Sequence, residues 1–269
     1  MVKKFLRYMV AFGLTTCVTV GGLSGSKAYG DIIYTQNDAA FIDGISLLTL
    51  KNSWTDQDPN NNIVLQVGDK IFTNFGGSSV GDNVVSLSNV RLTPAIDPNG
   101  AYGHTEYGLS FQLLGSASIA YAGESKDLFV YFDVTTTFHD NRIIDDYLQF
   151  TGYTEGSGVI RIGEIVTDEG GNPVSNLGVW IDPNLPYDRL VDHDLFDAQD
   201  ILRIRKDVAW YADPCATSAT CIDQAFISDF TQMFSQLPPD RDVPEPASML
   251  LLGFGLAGLG IARRKRSTK

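Results

Sequence analysis

Three histidines, His104, His139 and His193, are the candidates in this sequence for a histidine-based catalytic site. Acyl transfer also needs a serine or cysteine nucleophile beside that base and an acid that orients it. The 32 acidic residues bring carboxylates close together by chance, so a glycosidase pair cannot be recognised from composition. We therefore predict no catalytic residues and a protein that is not an enzyme, with a secreted polysaccharide hydrolase as one alternative.

Oxygen-bearing side chains at alternate loop positions indicate a calcium site at Asp56, Asp58 and Asn60. The loop is not an EF-hand, because Asn61 replaces the turn glycine and Val67 stands where the bidentate glutamate belongs. A second acidic stretch contains Asp182, Asp188, Asp192, Asp194, Asp197 and Asp200. A solvated acidic surface is the alternative for both stretches, and no other cofactor is predicted.

The aromatic residues offer surfaces on which sugars could stack. Trp54, Trp180 and Trp210 accompany eleven tyrosines, although aromatic side chains at strand positions more often belong to the core. A carbohydrate-binding adhesin, with or without calcium, is therefore a second alternative. Its ligand would not be an anionic polysaccharide unless divalent cations bridged it to this acidic chain.

Two cysteines, Cys215 and Cys221, remain once an N-terminal leader is removed. An even count in an exported chain suggests a disulfide. Metal ligation or a redox pair is less favoured, because the spacing is not C-x-x-C and no histidine lies nearby in the sequence.

The C-terminus combines three signals in a fixed order. The triplet Pro244, Glu245 and Pro246 precedes residues 247–262, which carry no charge, and a basic cluster follows as Arg263, Arg264, Lys265 and Arg266. A helix of that length measures about 24 Å against a hydrocarbon core of about 30 Å. The prolines keep the triplet extended and accessible. We expect a short transmembrane helix whose basic tail, 263–269, stays in the cytoplasm.

This tail resembles the PEP-CTERM sorting signal of Gram-negative bacteria in the triplet, the Leu/Gly-rich helix and the basic end. The resemblance implies that an exosortase, an integral-membrane peptidase, recognises the chain and cleaves it near the triplet. It also implies delivery to the cell surface, often beside exported polysaccharide. Exosortase and, in a biofilm, exopolysaccharide or other matrix proteins are the expected partners.

The N-terminus has the pattern of a signal peptide over residues 1–30. Lys3, Lys4 and Arg7 precede an apolar run, and small residues then allow cleavage before Tyr29 or Asp31. The two ends hold 9 of the 20 basic residues, which leaves 11 against all 32 acids, a formal charge of −21 for the remainder. Such a surface excludes nucleic-acid binding. We expect a single-pass inner-membrane precursor with a periplasmic body, and a mature form at the cell surface or in the extracellular matrix.

The body, residues 31–236, has the pattern of an all-β fold, which we predict to be a single jelly-roll-like β-sandwich. Residues 237–246 are interpreted as a proline-rich linker. The segment from Phe226 to Leu237 fits either a helix or a strand, and its surroundings favour a strand. The predicted strands are 63–67, 70–75, 84–92, 105–113, 127–138, 145–151, 158–166, 177–180 and 201–210.

The body also resembles the ectodomains of uncharacterised PEP-CTERM proteins, to which no activity is attached. The stretches that carry this likeness are 67–75, 107–111, 127–133, 205–208 and 227–236.

Overall fold

Buried and exposed side chains alternate along the long strands and give each strand an inner and an outer face. In β8 (Ser125–Thr136) the side chains of Leu128, Val130, Phe132 and Val134 are fully buried, and the residues between them are not. Because successive side chains of a strand point to opposite faces, this period of two builds one apolar surface. The computed structural model describes residues 31–56, 58, 61–80, 83–100, 104–137, 142–214 and 222–237.

Within those residues, two sheets enclose the core, with strands numbered in chain order. Sheet I has the spatial order β1 (Ile32–Thr35), β3 (Ile63–Val67), β4 (Lys70–Val80), β8, β13 (Ile201–Tyr211), β10 (Val159–Thr167) and β11 (Pro173–Ile181). Sheet II has the order β12 (Val191–Gln199), β9 (Arg142–Glu155), β14 (Gln224–Phe234), β6 (Glu106–Leu113), β5 (Val90–Asp97) and β2 (Ile45–Ser46). Two short strands complete it: β15 (Gln236–Leu237) pairs with β9, and β7 (Ile119–Tyr121) pairs with β14. The pairs are antiparallel except β1 with β3.

Phenylalanines from both sheets meet in the core. The rings of Phe111 and Phe230 stack within sheet II at 4.8 Å between centroids. Phe111 also contacts Phe132 of sheet I at 5.7 Å, and Phe72 contacts Phe234 across the core at 6.3 Å. All five rings are fully buried, so the inter-sheet contact is a closed aromatic core. The prediction of an all-β, two-sheet sandwich is confirmed.

Two short helices, which the sequence analysis did not predict, cover one part of this core. They are α1 (Ala39–Ile42) and α2 (Leu47–Thr55). The hydroxyl of Ser46 accepts the amide of Thr49 at 3.1 Å and so caps α2. Leu47 and Leu50 on α2 are fully buried.

One predicted strand is wrong over most of its length. Residues 84–92 were expected to form a strand, but β5 begins only at Val90, after a 3-10 turn at residues 87–89. The amide of Val85 donates to the Ser79 hydroxyl at 2.8 Å instead of to a neighbouring strand. This local side-chain acceptor holds the segment as a loop.

The other predicted strands are present, several of them longer than expected, and 226–234 is confirmed as part of β14. The predicted signal peptide, disulfide cysteines, apolar helix 247–262 and basic tail lie outside the described residues. Among the helices that the structure does describe, none has the length and hydropathy needed to cross a membrane.

Candidate functional site

A pocket of about 290 Å³ opens beside β7 and the start of β8, and we call it the Tyr121 pocket. Three segments wall it: the loop 83–89, the 3-10 turn at residues 115–117, and the stretch from Tyr121 to Lys126. Its polar lining consists of Asn83, Ser86, Asn89, Ser116, Glu124 and Lys126.

Ser79, at the end of β4, positions the loop that forms the first wall. Its hydroxyl donates to the carbonyl of Asp127 at 2.7 Å and accepts the amide of Val85. Ser79 also stands at the centre of a G-x-S-x-G spacing from Gly77 to Gly81. That spacing presents a nucleophile only at a strand-to-helix turn. Here the serine lies within β4, paired with Leu128 of β8, and its hydroxyl makes structural hydrogen bonds.

A tight turn fixes the third wall, the stretch from Tyr121 to Lys126. The amide of Glu124 donates to the carbonyl of Tyr121 at 2.8 Å, and the amide of Tyr121 donates to the Glu124 carboxylate at 3.0 Å. Gly123 has φ +81°, a conformation that L side chains rarely adopt. The turn therefore fixes the backbone of Tyr121 against Glu124, and both residues line the pocket.

Lys126 holds the second wall, the turn at residues 115–117, in place. Its ammonium donates to the carbonyls of Ser116 and Ile119, and the residue is only 7% exposed. Burial lowers the pKa of Lys126, and the nearby carboxylate of Glu124 opposes that shift. The Lys126 ammonium is therefore occupied by backbone carbonyls and has a structural role in the pocket.

Other polar groups of the pocket are free to meet a ligand. The side-chain amides of Asn83 and Asn89 make no hydrogen bond within the described part of the chain, and Tyr121 is 56% exposed. Each amide can both donate and accept. The described lining holds a single carboxylate and no histidine or cysteine, so the pocket offers chemistry for binding a polar ligand rather than for a two-carboxylate reaction.

A second polar cluster lies in the core between the sheets, and we call it the buried network. Glu164 on β10 and Lys206 on β13 face each other across the ladder and form an ion pair. The Lys206 ammonium also donates to Gln232, whose amide donates to Asp146 on β9. All four side chains are 99–100% buried.

Burial dominates the electrostatics of this network. It raises the pKa of Asp146 to about 8, and the charge of Lys206 opposes that shift. It also lowers the pKa of Lys206 to about 7, against the opposing charge of Asp146. Since these groups have no access to solvent, the network joins the two sheets and does not face a substrate.

In the predicted calcium loop, the described residues Asp58 and Asn61 both bond to Asp56. The carboxylate of Asp56 accepts the amide of Asp58 at 3.0 Å and the side-chain amide of Asn61 at 3.3 Å. Asn60 lies outside the described residues, and the described ones contain no group of three or more His, Cys, Asp or Glu arranged to hold a metal. The calcium site stays a prediction.

The histidines are not brought together. His193 lies on β12, opposite Tyr147 of β9, whereas His104 lies just before β6. Strands β9 and β14 separate β12 from β6, a span of roughly 14 Å at normal strand spacing. His139 lies outside the described residues.

The three tryptophans divide between core and surface. Trp210 is fully buried, and Trp54 packs on the core while its indole donates to the carbonyl of Ile63 at 3.0 Å. Trp180 lies near the edge of sheet I, where its ring is 6.2 Å from that of Tyr187 and the Arg189 guanidinium lies 5.5 Å from its centroid. One residue of the second acidic stretch, Asp192, forms an ion pair with Arg189 here.

The Tyr121 pocket was not predicted from the sequence, although the composition of its loop indicated a turn. Residues 83–89 contain two asparagines and two serines, residues that favour turns through their own side-chain hydrogen bonds. Val84 and Val85 suggested a strand instead, but Val84 is 69% exposed.

Several solved structures are similar to this chain at low identity. The carbohydrate-binding module TmCBM61, solved with beta-1,4-galactotriose, has 17% identity over 59% of this chain and 88% of its own, with a TM-score of 0.27. A family 11 carbohydrate-binding module from Clostridium thermocellum has 10% identity over 61% and 88%, with a TM-score of 0.20. A DUF4465 family protein from Bacteroides caccae has 10% identity over 59% and 93%, with a TM-score of 0.20. At these values the likeness says nothing about a ligand of this chain.

No curated protein matches the sequence. The C-terminus gives a specific match, which covers the Pro-Glu-Pro triplet, the apolar run and the basic cluster. Residues 242–266 carry the PEP-CTERM protein-sorting motif, which implies an exported protein.

Proposed function

We propose that this chain is a non-enzymatic surface or matrix protein that an exosortase processes near Pro244-Glu245-Pro246. The observation that carries the proposal is the sorting motif at residues 242–266. The precursor spans the inner membrane once, with its basic tail in the cytoplasm and its sandwich in the periplasm. Cleavage frees the sandwich for the cell surface or the exopolysaccharide matrix of a biofilm.

The charge distribution supports this route. Basic residues cluster at both ends of the chain and acids fill the body. Positive charge favours the cytoplasmic side of a membrane, so both ends support the same orientation of the precursor. A cytoplasmic role would leave this arrangement without a purpose.

Intact-mass spectrometry of the mature protein from its native cells tests the processing step. We expect wild-type molecules to lack residues 263–269, and the double variant Pro244→Ala/Pro246→Ala to retain them. The matched control Pro238→Ala/Pro239→Ala changes two prolines outside the motif and should be processed like the wild type. An intact basic tail on most mature wild-type molecules would contradict the proposal.

A second candidate function is carbohydrate binding by the sandwich, and the Tyr121 pocket is the observation that favours it. A glycan array probed with the full chain, with and without added calcium, tests this candidate. Binding in either condition supports it, and the difference between the two conditions tests the calcium site at Asp56, Asp58 and Asn60. Absence of binding both with and without calcium would rule out carbohydrate binding.

A further inference from the structure

We propose that the Tyr121 pocket binds one pyranose unit of a neutral polysaccharide. The proposal rests on the second candidate function above, because it names the site and the ligand class for carbohydrate binding.

The size of the pocket selects a small ligand. Its volume of about 290 Å³ lies at the lower end of the range for small-molecule sites. Segments 83–89, 115–117 and 121–126 line it. A pocket of this size takes a single sugar unit rather than a longer stretch of a polymer.

The side chains of the pocket match the surface of a sugar ring. A pyranose has apolar C–H faces and hydroxyls that both donate and accept hydrogen bonds. Tyr121 supplies an exposed aromatic ring for the first feature. The amides of Asn83 and Asn89 and the Glu124 carboxylate supply donors and acceptors for the second. The lining is more polar than apolar, which disfavours a lipid or an acyl chain.

Charge selects a neutral sugar over an acidic one. The ammonium of Lys126 is directed at the carbonyls of Ser116 and Ile119 and is held in the pocket wall. The remaining charged group of the described lining is the Glu124 carboxylate, and the body around it is strongly anionic. A uronate or a phosphorylated sugar would meet repulsion here without a free cation to compensate.

The pocket is also built before any ligand arrives. Ser79 fixes the loop 83–89, the Tyr121–Glu124 turn is closed by two hydrogen bonds, and Lys126 ties the turn at residues 115–117. Pre-formed walls reduce the entropy that binding must offset. These contacts order the backbone that carries Asn83 and Asn89 before a ligand binds, and the two side-chain amides make no hydrogen bond within the described residues.

Calorimetric titration of the full chain with neutral methyl pyranosides and with methyl glucuronide tests the proposal. We expect one of the neutral glycosides to bind and the glucuronide to bind at least roughly tenfold more weakly. Tyr121→Ala and Asn89→Ala should each weaken binding by roughly tenfold or more. The matched control Tyr153→Ala removes another exposed tyrosine, on sheet II and 46% exposed, and should bind like the wild type.

A folding control accompanies each variant, and the outcomes separate the two proposals. Unfolding midpoints close to the wild type show that lost binding is local, and Tyr121→Phe should retain most of the affinity because it keeps the ring. The site is wrong if Tyr121→Ala and Asn89→Ala bind the glycoside as tightly as the wild type. It is also wrong if Tyr187→Ala loses affinity instead. Either result would leave carbohydrate binding by the protein as a whole supported. Preference for the glucuronide overturns the ligand class, and absence of any glycan binding by the wild type removes the function and the site together.

Discussion

The ammonium of Lys206 and the carboxylate of Glu164 form an ion pair in the middle of sheet I, with both side chains fully buried. They occupy directly paired positions on β13 and β10. Gln232 links the lysine to Asp146, so a polar connection runs from one sheet to the other through an otherwise apolar core.

Removing one partner of this pair should destabilise the sandwich strongly. Lys206→Met leaves Glu164 buried without its cation, and we expect the free energy of unfolding to fall by roughly 3–5 kcal/mol. The double variant Lys206→Met/Glu164→Leu removes both charges and should recover most of that loss, since well-packed apolar residues replace buried ion pairs at little cost. Denaturant unfolding of both variants checks this. A single variant as stable as the wild type would mean that the pair is not buried as described.

The buried network should also give stability a distinctive pH dependence. Asp146 has a folded pKa of about 8 against an ordinary value of 3.8. Between these two pH values the folded state holds a proton that the unfolded state has released. Its contribution to stability is therefore present at low pH and lost as pH rises towards 8. Lys206 has a lowered pKa of about 7 against 10.5, so its contribution rises with pH over that interval. The combined contribution should be smallest between about pH 7 and 8.

Comparison of the wild type with Asp146→Asn isolates the aspartate's part. The neighbouring charges that act on Asp146 are Lys206, Asp145 and Asp194, and the substitution leaves them in place. We expect the wild type to lose stability relative to Asp146→Asn between about pH 5 and pH 7, as followed by denaturant midpoints. Asp188→Asn, at an exposed loop position, serves as the control and should run parallel to the wild type. Parallel curves for Asp146→Asn as well would rule out this assignment.

The sequence predicted the strands best where alternation was strong and long. In β8 and β13 the inward residues are apolar at nearly every second position, and both strands were found with ends close to the observed ones. The short edge strands β1 and β2 carry too few residues to show a period, so they were missed. Helix α2 was missed because its nine residues are too few to show a sustained helical period.

The buried network and the Tyr121 pocket could not be predicted from the sequence, for a different reason. Lys206 occupies an inward position in an alternating strand, and Glu164 does the same, but their partnership depends on the register between β13 and β10. The pocket depends on three turns that come together only in the folded chain. The sorting motif, by contrast, is contiguous in sequence and could be recognised without a structure.

Alkylation followed by mass spectrometry tests the disulfide predicted between Cys215 and Cys221. Alkylation of the denatured mature protein should leave its mass unchanged unless a reductant is added first, because Cys17 is removed with the predicted signal peptide. Reduction should lower the free energy of unfolding by about 2.4 kcal/mol if closure of this short loop is the main effect. Two alkylated cysteines without reductant would show that both thiols are free.

Two strand glycines should respond in opposite ways to the same substitution. A Cβ added at Gly108 on β6 would lie 1.7 Å from the carbonyl oxygen of Gln232 on β14, so Gly108→Ala must push the two strands apart. We expect that variant to lose roughly 3 kcal/mol or more of its free energy of unfolding. A Cβ added at Gly163 on β10 meets nothing within 4 Å, so Gly163→Ala should gain roughly 0.5–1 kcal/mol by restricting the unfolded chain. Denaturant midpoints of the two variants measure both effects under identical conditions. Equal midpoints would show that β6 and β14 do not approach as closely at Gly108 as the sheet geometry requires.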